Sequence, residues 1–313
     1  MKQYLVTGGA GFIGSHIVRV LLNEGASVRV LDNFSTGKHE NLDGLQNSKN
    51  GGRLEILEGD VSDALIVAQA VRGVEIIFHE AAFISVPESM SKPQECFDVN
   101  ITGTTILLEA ARKAGVHRTV IASSAAVYGD SDALPLAEDT ATRPQSPYAV
   151  SKRIVEILAE FYTQSFRSEV TALRYFNVYG PRQRPDSMYA AAVPIFIGNL
   201  RNGRAVTVFG DGGQTRDLIF VGDVVRANLI AAQHPAAAGQ IFNICTGQET
   251  RILDLLEVLF KLFPNSPKPI FSEARAGDIY KSLGDPGKAS RIIGFTAKNS
   301  LSEGLKETVE WKQ

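Results

Sequence analysis

Thr7-Gly8-Gly9-Ala10-Gly11-Phe12-Ile13-Gly14 separates the apolar run Tyr4-Leu5-Val6 from the helical pattern Ser15-His16-Ile17-Val18-Arg19-Val20-Leu21-Leu22. A buried strand therefore turns through glycines straight into a helix. Gly8 can make the tight turn, Gly11 lets the backbone approach a bulky anion, and Gly14 lets the helix pack closely, while unpaired N–H groups at the helix start face that anion. The second strand, Ala26-Ser27-Val28-Arg29-Val30-Leu31, ends in Asp32. An acid about twenty residues past the glycines can accept both ribose hydroxyls of an adenosine. Loop and acid together predict a dinucleotide cradle. NAD is expected rather than NADP, because Asp32 would meet a 2′-phosphate with like charge and Asn33-Phe34 offers no arginine to offset it.

A chain of 313 residues with a 44% apolar share can build one large domain or two modest ones. The net charge is −2 with the charges scattered, so there is no basic stripe for nucleic acid. An anionic substrate must then be held by a few placed groups. No apolar stretch approaches the roughly 18 residues of a membrane span, and the reading is a cytoplasmic protein without membrane or nucleic-acid partners. Cys96 and Cys245 lack the spacing of a disulfide framework or a zinc site, and no metal is expected. His16 and His79 have no partner at metal spacing and read as packed residues.

Up to about residue 175, strand-like runs (Leu5-Val6, Val28–Leu31, Leu54–Leu57, Ile76–Phe78, Thr119–Ala122, Val170–Arg174) alternate with the amphipathic segments Ala64–Val71, Cys96–Ala114 and Tyr148–Phe166. That alternation predicts an α/β fold, a doubly wound, Rossmann-like parallel sheet that binds ligands at the carboxyl ends of its strands. Beyond Asn177, Gly and Pro break the chain into short elements, as at Gly180-Pro181, Gly210-Asp211-Gly212-Gly213, Pro264, Pro267 and Pro269. A smaller, discontinuous C-terminal substrate lobe is expected there. The expected partition is 1–175 for the dinucleotide domain, with about 217–245 rejoining it as a helix and a strand, and 176–216 with 246–313 for the lobe.

Tyr148-Ala149-Val150-Ser151-Lys152 follows Ser146-Pro147, a helix start, so Tyr148 and Lys152 share a face at i, i+4. A lysine cation beside a phenol favours the phenolate, lowering a pKa that begins near about 10 and making tyrosine a usable base. Upstream, Ala122-Ser123-Ser124-Ala125-Ala126-Val127-Tyr128-Gly129 lies at a strand end, where a serine can hydrogen-bond the oxygen of a reacting carbon.

The motif TGGAGFIG, with Asp32, Gly59-Asp60-Val61, Ala81-Ala82, Asn100, Ser123-Ser124 and YxxSK, resembles the extended short-chain dehydrogenase/reductase superfamily over nearly the whole chain. Arg174-Tyr175-Phe176-Asn177-Val178-Tyr179-Gly180-Pro181, Phe209-Gly210-Asp211-Gly212, Gln214-Thr215-Arg216-Asp217 and Arg275-Ala276-Gly277-Asp278 are similar to its nucleotide-sugar epimerase branch, above all to UDP-glucose 4-epimerases. The resemblance implies an NAD site at Gly8, Gly11, Phe12, Ile13, Gly14, Asp32, Asn33, Thr36, Gly37, Asp60, Val61, Ala81, Ala82, Asn100, Ser123, Tyr148, Lys152 and Tyr175. It implies a UDP-sugar site at Ser85, Ser124, Tyr148, Asn177, Val193, Thr207, Phe209, Arg216, Arg275, Asp278 and Ser282. Within it, Arg216 and Arg275 would hold the diphosphate, a geometry that suits bidentate arginine, Thr207 and Phe209 would lie near the base, and Asp278 near the ribose.

The same resemblance makes Ser124, Tyr148 and Lys152 the catalytic residues. Related dehydratases carry an Asp-Glu pair after the catalytic serine or threonine, and related decarboxylases a glutamate in that stretch; here Ala125 and Ala126 occupy it and cannot move a proton. The implied reaction is oxidation of a UDP-hexose at C4 and re-reduction on the other face, interconverting UDP-glucose and UDP-galactose. Ser282, where some epimerases carry a bulky tyrosine, leaves room for an N-acetyl group. A UDP-glucuronate 4-epimerase and a net NAD-dependent nucleotide-sugar oxidoreductase stay open as alternatives. The family also implies a homodimer through the helices that begin near Cys96 and Tyr148.

Overall fold

The computed structural model describes residues 2–45, 50–184, 192–274 and 279–311. Seven parallel strands form the central sheet: β1 (Gln3–Thr7), β2 (Ser27–Asp32), β3 (Arg53–Glu58), β4 (Ile76–His79), β5 (Arg118–Ser124), β6 (Glu169–Tyr175) and a late strand, Ile241–Ile244. Their spatial order is Ile241–Ile244, β6, β5, β4, β1, β2, β3, so the chain reverses direction across the sheet between β1 and β4. All carboxyl ends point one way, and the crevice at that reversal is where an open parallel sheet receives ligands.

Helices cover both faces. On one side α1 (Phe12–Asn23) packs on the helix Val221–Gln233, sharing a core with Val6, Val28, Val30, Phe78 and Leu173. On the other, α2 (Ala64–Ala70) packs on the helix Thr104–Ala114 against Leu5, Leu31 and Ile77. The central strands are apolar on both faces because both faces are covered. The strand Ile241–Ile244 pairs in parallel with β6, so a segment that follows the short elements adds the sheet's seventh strand.

The segment expected as one helix over Cys96–Ala114 is interrupted. Pro93–Phe97 is helical, Asp98–Gly103 widens into a π-turn, and only then does Thr104–Ala114 resume the α-helix. Wide turns of this kind let one side chain leave the helical ladder. Asn100, inside the turn, accepts from the Phe83 N–H (2.7 Å), donates to the Phe83 carbonyl (3.1 Å) and donates to Ser151 Oγ (2.8 Å).

The long helix α6, by the chain's own order the sixth after Val86–Ser91, Pro93–Phe97 and Thr104–Ala114, spans Pro147–Phe166. Ser146 caps it by accepting from the Ala149 N–H at 3.2 Å, with Pro147 in the first turn, where its missing N–H costs nothing. Its outer face carries Ile157 and Phe161, each 49% exposed.

The lobe above the sheet has its own core. Val193, Phe196, Ile197 and Leu200 of the helix Ala192–Arg201 meet Val206, Val208, Leu255, Leu256 and Leu259. Short strand pairs, such as Ile270–Ser272 beside Thr207–Phe209 and Thr250–Arg251 beside Thr215–Arg216, tie it together. Among the described residues no helix is long and apolar enough to cross a membrane. Cys96 and Cys245 are buried free thiols. His79 is buried between Thr7 Oγ1 (2.7 Å) and Thr104 Oγ1 (2.9 Å), and His16 Nε2 lies 2.9 Å from the Pro181 carbonyl.

Candidate active site

The carboxyl ends of the strands open into one cleft of about 2420 Å³, bounded on the far side by the lobe. Typical small-ligand pockets run to about 1,000 Å³, so this one has room for a dinucleotide and a second ligand together.

The glycine loop fits that use by exclusion. A Cβ on Gly14 would lie 2.2 Å from the Gly8 carbonyl oxygen, and Gly8, at φ +66°, would press one within 2.7 Å of the Ala81 nitrogen. Any side chain at either position would force the loop off the sheet. With them absent, Gly8, Gly11 and Gly14 line the cleft without side chains, together with Phe12 and Ile13 at the start of α1. Asp32, at the end of β2, accepts from the Ala10 N–H (2.8 Å) and the Phe34 N–H (2.9 Å), stapling the loop after β1 to the loop after β2. Burial raises its pKa, while those two N–H bonds pull the other way. Asn33 donates to Asp60 Oδ2 (2.6 Å), and Asp60 also accepts from Ser62; burial alone would raise Asp60, but these bonds outweigh it and its carboxyl sits low. Thr36, Gly37, Val61, Ala81 and Ala82 complete this half of the wall.

Two arginines that the motifs do not point to belong here as well. Arg19 of α1 and Arg182 both line the cleft, and Arg19 Nε and Arg182 Nη1 are buried without a hydrogen-bond partner. Burial and the neighbouring Arg19 charge push Arg182 down to about 10. Two guanidiniums held together in a water-poor site call for an anion between or beside them, and a dinucleotide diphosphate has that charge. Phe34, which stacks on His39 at 3.7 Å between ring centroids, adds a flat aromatic surface to the same wall.

At the middle of the cleft stand Ser124, the last residue of β5, and Tyr148, in the first turn of α6. Ser124 Oγ accepts from the Ala126 N–H at 3.2 Å, and Ser124 and Tyr148 both line the cleft. Lys152 is one turn further along α6 and almost wholly buried; its Nζ donates to the Ala122 carbonyl (2.8 Å) and lies 5.9 Å from the centre of the Tyr148 ring. The expectation that the lysine lowers the phenol's pKa is not met: burial raises Tyr148 above its ordinary value, and the neighbouring Ser124 opposes this. Burial also pushes Lys152 down to about 8.

Ser85, Tyr175, Asn177, Arg216 and Ser282 also line the cleft, as do Ala125 and Ala126. Other residues expected at the site stand behind its wall. Asn100 holds the Phe83 backbone as described, and Ser123 is buried, donating to Glu156 Oε1 at 2.6 Å. Val193 is in the lobe core, and Thr207 and Phe209 lie on the strand pair with Ile270–Ser272 rather than on the cleft wall. Arg275 and Asp278 fall outside the described residues.

Residues 4–245 match the NAD dependent epimerase/dehydratase family. The chain belongs to that family. It is 41% identical over 309 residues to the UDP-glucose 4-epimerase of Mycolicibacterium smegmatis, covering 98% of this chain and 97% of the relative. Its fold superimposes with a TM-score of 0.92 on the UDP-glucose 4-epimerase of Thermotoga maritima solved with UDP-glucose (38% identity, 98% of this chain and 97% of that one). It does so with a TM-score of 0.93 on a UDP-N-acetylglucosamine 4-epimerase from Methanobrevibacter ruminantium M1 (36% identity, 99% and 97%). The protein is therefore an enzyme of the UDP-sugar epimerase group with NAD as cofactor. The glycine cradle, Asp32 and the two unpaired guanidinium nitrogens fit that cofactor.

Asp32 generates a test. With a buried carboxylate at the end of β2 beside the glycine loop, direct titration of NAD-free protein should show NAD bound at least about tenfold more tightly than NADP, and Asp32→Asn should narrow the gap. Equal affinities in the wild type would refute the assignment.

Proposed function

We propose that the enzyme interconverts UDP-glucose and UDP-galactose, and the corresponding N-acetylhexosamine pair, by transient oxidation at C4. The observation that carries this reading is that Ser124 and Tyr148 line one cleft, with Lys152 Nζ 5.9 Å behind the Tyr148 ring and with Ala125 and Ala126 directly after the serine. The pair can take one proton from a hydroxyl and give it back. The two alanines can take none, so loss of water or of carbon dioxide lacks an acid or base at the place related enzymes use.

NAD, when bound, supplies the acceptor and later the donor of the hydride at the sugar carbon, and its nicotinamide cation favours the phenolate. Tyr148 removes the proton of the C4 hydroxyl. Ser124 hydrogen-bonds the same oxygen, stabilising the charge that develops there. Lys152 supplies a cation behind the pair. Once the keto sugar has turned over, Tyr148 returns the proton to the same oxygen on the opposite face, and the proton balance closes. For the sugar to turn, binding must rest on the nucleotide. Arg216 on the cleft wall and Asn177 at the start of the strand Asn177–Tyr179 are the described residues suited to its diphosphate. Ser282 on the wall supports a site wide enough for an acetamido group, since a hydroxymethyl fills far less space than a phenol.

The exposed Ile157 and Phe161 on α6, with Met90 on the adjoining helix Val86–Ser91, support a homodimer closed through α6. Three outcomes check these readings. Tyr148→Phe should retain the fold and bound NAD but lose at least about 10²-fold in turnover, the usual effect of removing an acid/base group; near wild-type turnover on a substrate of the native enzyme would refute the assignment. Wild type should epimerise both plain and N-acetylated UDP-hexoses, and Ser282→Tyr should lose only the latter; failure of wild type on N-acetylated sugars, or equal loss of both, counts against the wide site. Sedimentation should show a dimer at micromolar concentration that Phe161→Glu dissociates, and a monomeric wild type would overturn the assembly.

A further inference from the structure

Glu80, which follows β4, is an acidic side chain on the cleft wall that the proposed reaction leaves without a task. It lines the cleft, and its Oε1 lies 2.8 Å from Tyr175 Oη. The direction of that bond is fixed from behind. Asn228, fully buried on the helix Val221–Gln233, must present its amide nitrogen to the Val224 carbonyl (2.9 Å), and the same nitrogen donates to Tyr175 Oη at 2.8 Å. The tyrosine oxygen is therefore an acceptor toward Asn228, and its own proton is given to Glu80. A buried amide and a buried phenol thus hold one carboxylate at one place.

Lys152 lies beside Glu80: β4 pairs His79 with Ile121 of β5, which brings Glu80 alongside Ala122, and the Ala122 carbonyl accepts from Lys152 Nζ at 2.8 Å. The titratable groups that act on the lysine are His79 and Glu80 from β4 and the residue after it, Cys96 from Pro93–Phe97 and Glu156 from its own helix, whose Tyr148 ring lies 5.9 Å away. His79 is a neutral ring, since burial, and next the Lys152 charge, push it down to about 3. Cys96 is a thiol that burial raises further from ionisation. Glu156 is engaged by Arg174 through both nitrogens, Nε at 2.7 Å and Nη2 at 2.9 Å, and by Arg153 at 3.1 Å. That carboxylate is already neutralised twice over. Among the described residues that act on Lys152, only Glu80 is a carboxyl not bonded to a guanidinium.

We propose that Glu80 is a positioning residue, the counter-charge that keeps Lys152 cationic in a site otherwise too dry to hold an ammonium, and that Asn228 and Tyr175 exist to orient it. The inference rests on the epimerase reading for its kinetic test only. Burial pushes Glu80 up to about 7 and Lys152 down to about 8, so carboxylate and ammonium coexist in the interval between. Below that interval the carboxyl is protonated and a glutamine is its electrical equal. Above it, a glutamine leaves the ammonium unsupported, and the lysine loses its proton at a lower pH.

The test compares wild type, Glu80→Gln, Glu80→Asp and Tyr175→Phe. In kcat/KM against pH, Glu80→Gln should match wild type below about pH 6 and have its alkaline limb moved down by about one pH unit, about tenfold less activity where wild type is still at its plateau. Glu80→Asp should recover part of the limb, and Tyr175→Phe should shift it the same way by less. The second readout needs no turnover: retention of NAD by the purified holoenzyme, measured as cofactor released on ultrafiltration across the same pH range. Glu80→Gln should release NAD at a lower pH than wild type. In a Lys152→Met background it should change nothing further, because its effect runs through the lysine. An unmoved alkaline limb, a loss uniform from pH 6 to 9, or an undiminished effect of Glu80→Gln on NAD retention in the Lys152→Met background would each overturn the proposal. If wild type epimerised none of the UDP-hexoses, the retention experiment would still decide this point, while the epimerase reading alone would fall.

Discussion

One buried carboxylate holds the proposed catalytic helix to the sheet. Glu156, with no exposed surface, accepts from Ser123 on β5, from both Nε and Nη2 of Arg174 on β6, and from Arg153 on its own helix. Three elements are thereby pinned at one point. Since Glu156 lies one turn beyond Lys152 and two beyond Tyr148, the pin sets where both of them meet Ser124, the neighbour of Ser123. The four donors leave no lone pair of the carboxylate to be desolvated unpaired, which is the condition under which a buried ion pair is tolerable. Removing either partner would strand a charge, at a cost of about 3–5 kcal/mol. Lys152, bonded to the Ala122 carbonyl, adds a second tie from the same helix to the same strand.

Holding the site this tightly also dries it, and dryness works against charge. Tyr148, Tyr175 and Glu80 are all raised by burial, while Lys152 and His79 are lowered by it. Each shift favours the neutral form. Burial alone thus disfavours a phenolate at Tyr148, and a cationic nicotinamide would have the sign that favours it.

The sheet was legible in the sequence because its signals are local. Strand runs such as Val28–Leu31 and Val170–Arg174 are apolar on both faces, and Ser146-Pro147 announces α6 by capping chemistry alone. The glycine cradle was legible for the same reason, since Gly8 and Gly14 exclude a Cβ against neighbours only a few residues away or on the adjoining strand. What stayed hidden depends on distant partners. Arg19 and Arg182 lie far apart in the chain, and neither carries a motif; only the packing of α1 against the segment after Pro181 makes them one anion-seeking pair. Glu80 is flanked by ordinary strand residues, and its meaning comes from Asn228, 148 positions on, through a tyrosine. The π-turn at Asp98–Gly103 was hidden too, because its helical periodicity is intact on either side and the bonds that open it belong to Phe83 and Ser151. Asn100 and Ser123 were read from the motif as part of the cofactor site; the bonds by which Asn100 holds the Phe83 backbone and Ser123 holds Glu156 of α6 carry no sequence signal of their own.

The distribution of side-chain size across the cleft bears on the proposed reaction in a way that no single contact does. The wall of the cradle is dense in fixed polar groups: backbone N–H groups at the start of α1, the carboxylates of Asp32 and Asp60 that staple its loops, and the guanidiniums of Arg19 and Arg182. Beside Ser124 in the chain the wall carries the small side chains Ala125 and Ala126, and Ser85 and Ser282 line the same cleft, along with the larger Glu80 and Tyr175. A site evolved to hold one sugar pose would place bidentate donors about that sugar, and each would add to the barrier for turning it over. Small side chains do the opposite, leaving volume and few directional bonds where a 4-keto ring must present first one face and then the other. Binding energy placed on the nucleotide and withheld from the sugar raises the probability of both poses equally, which is what an epimerase requires and what a one-way dehydrogenase has no reason to keep.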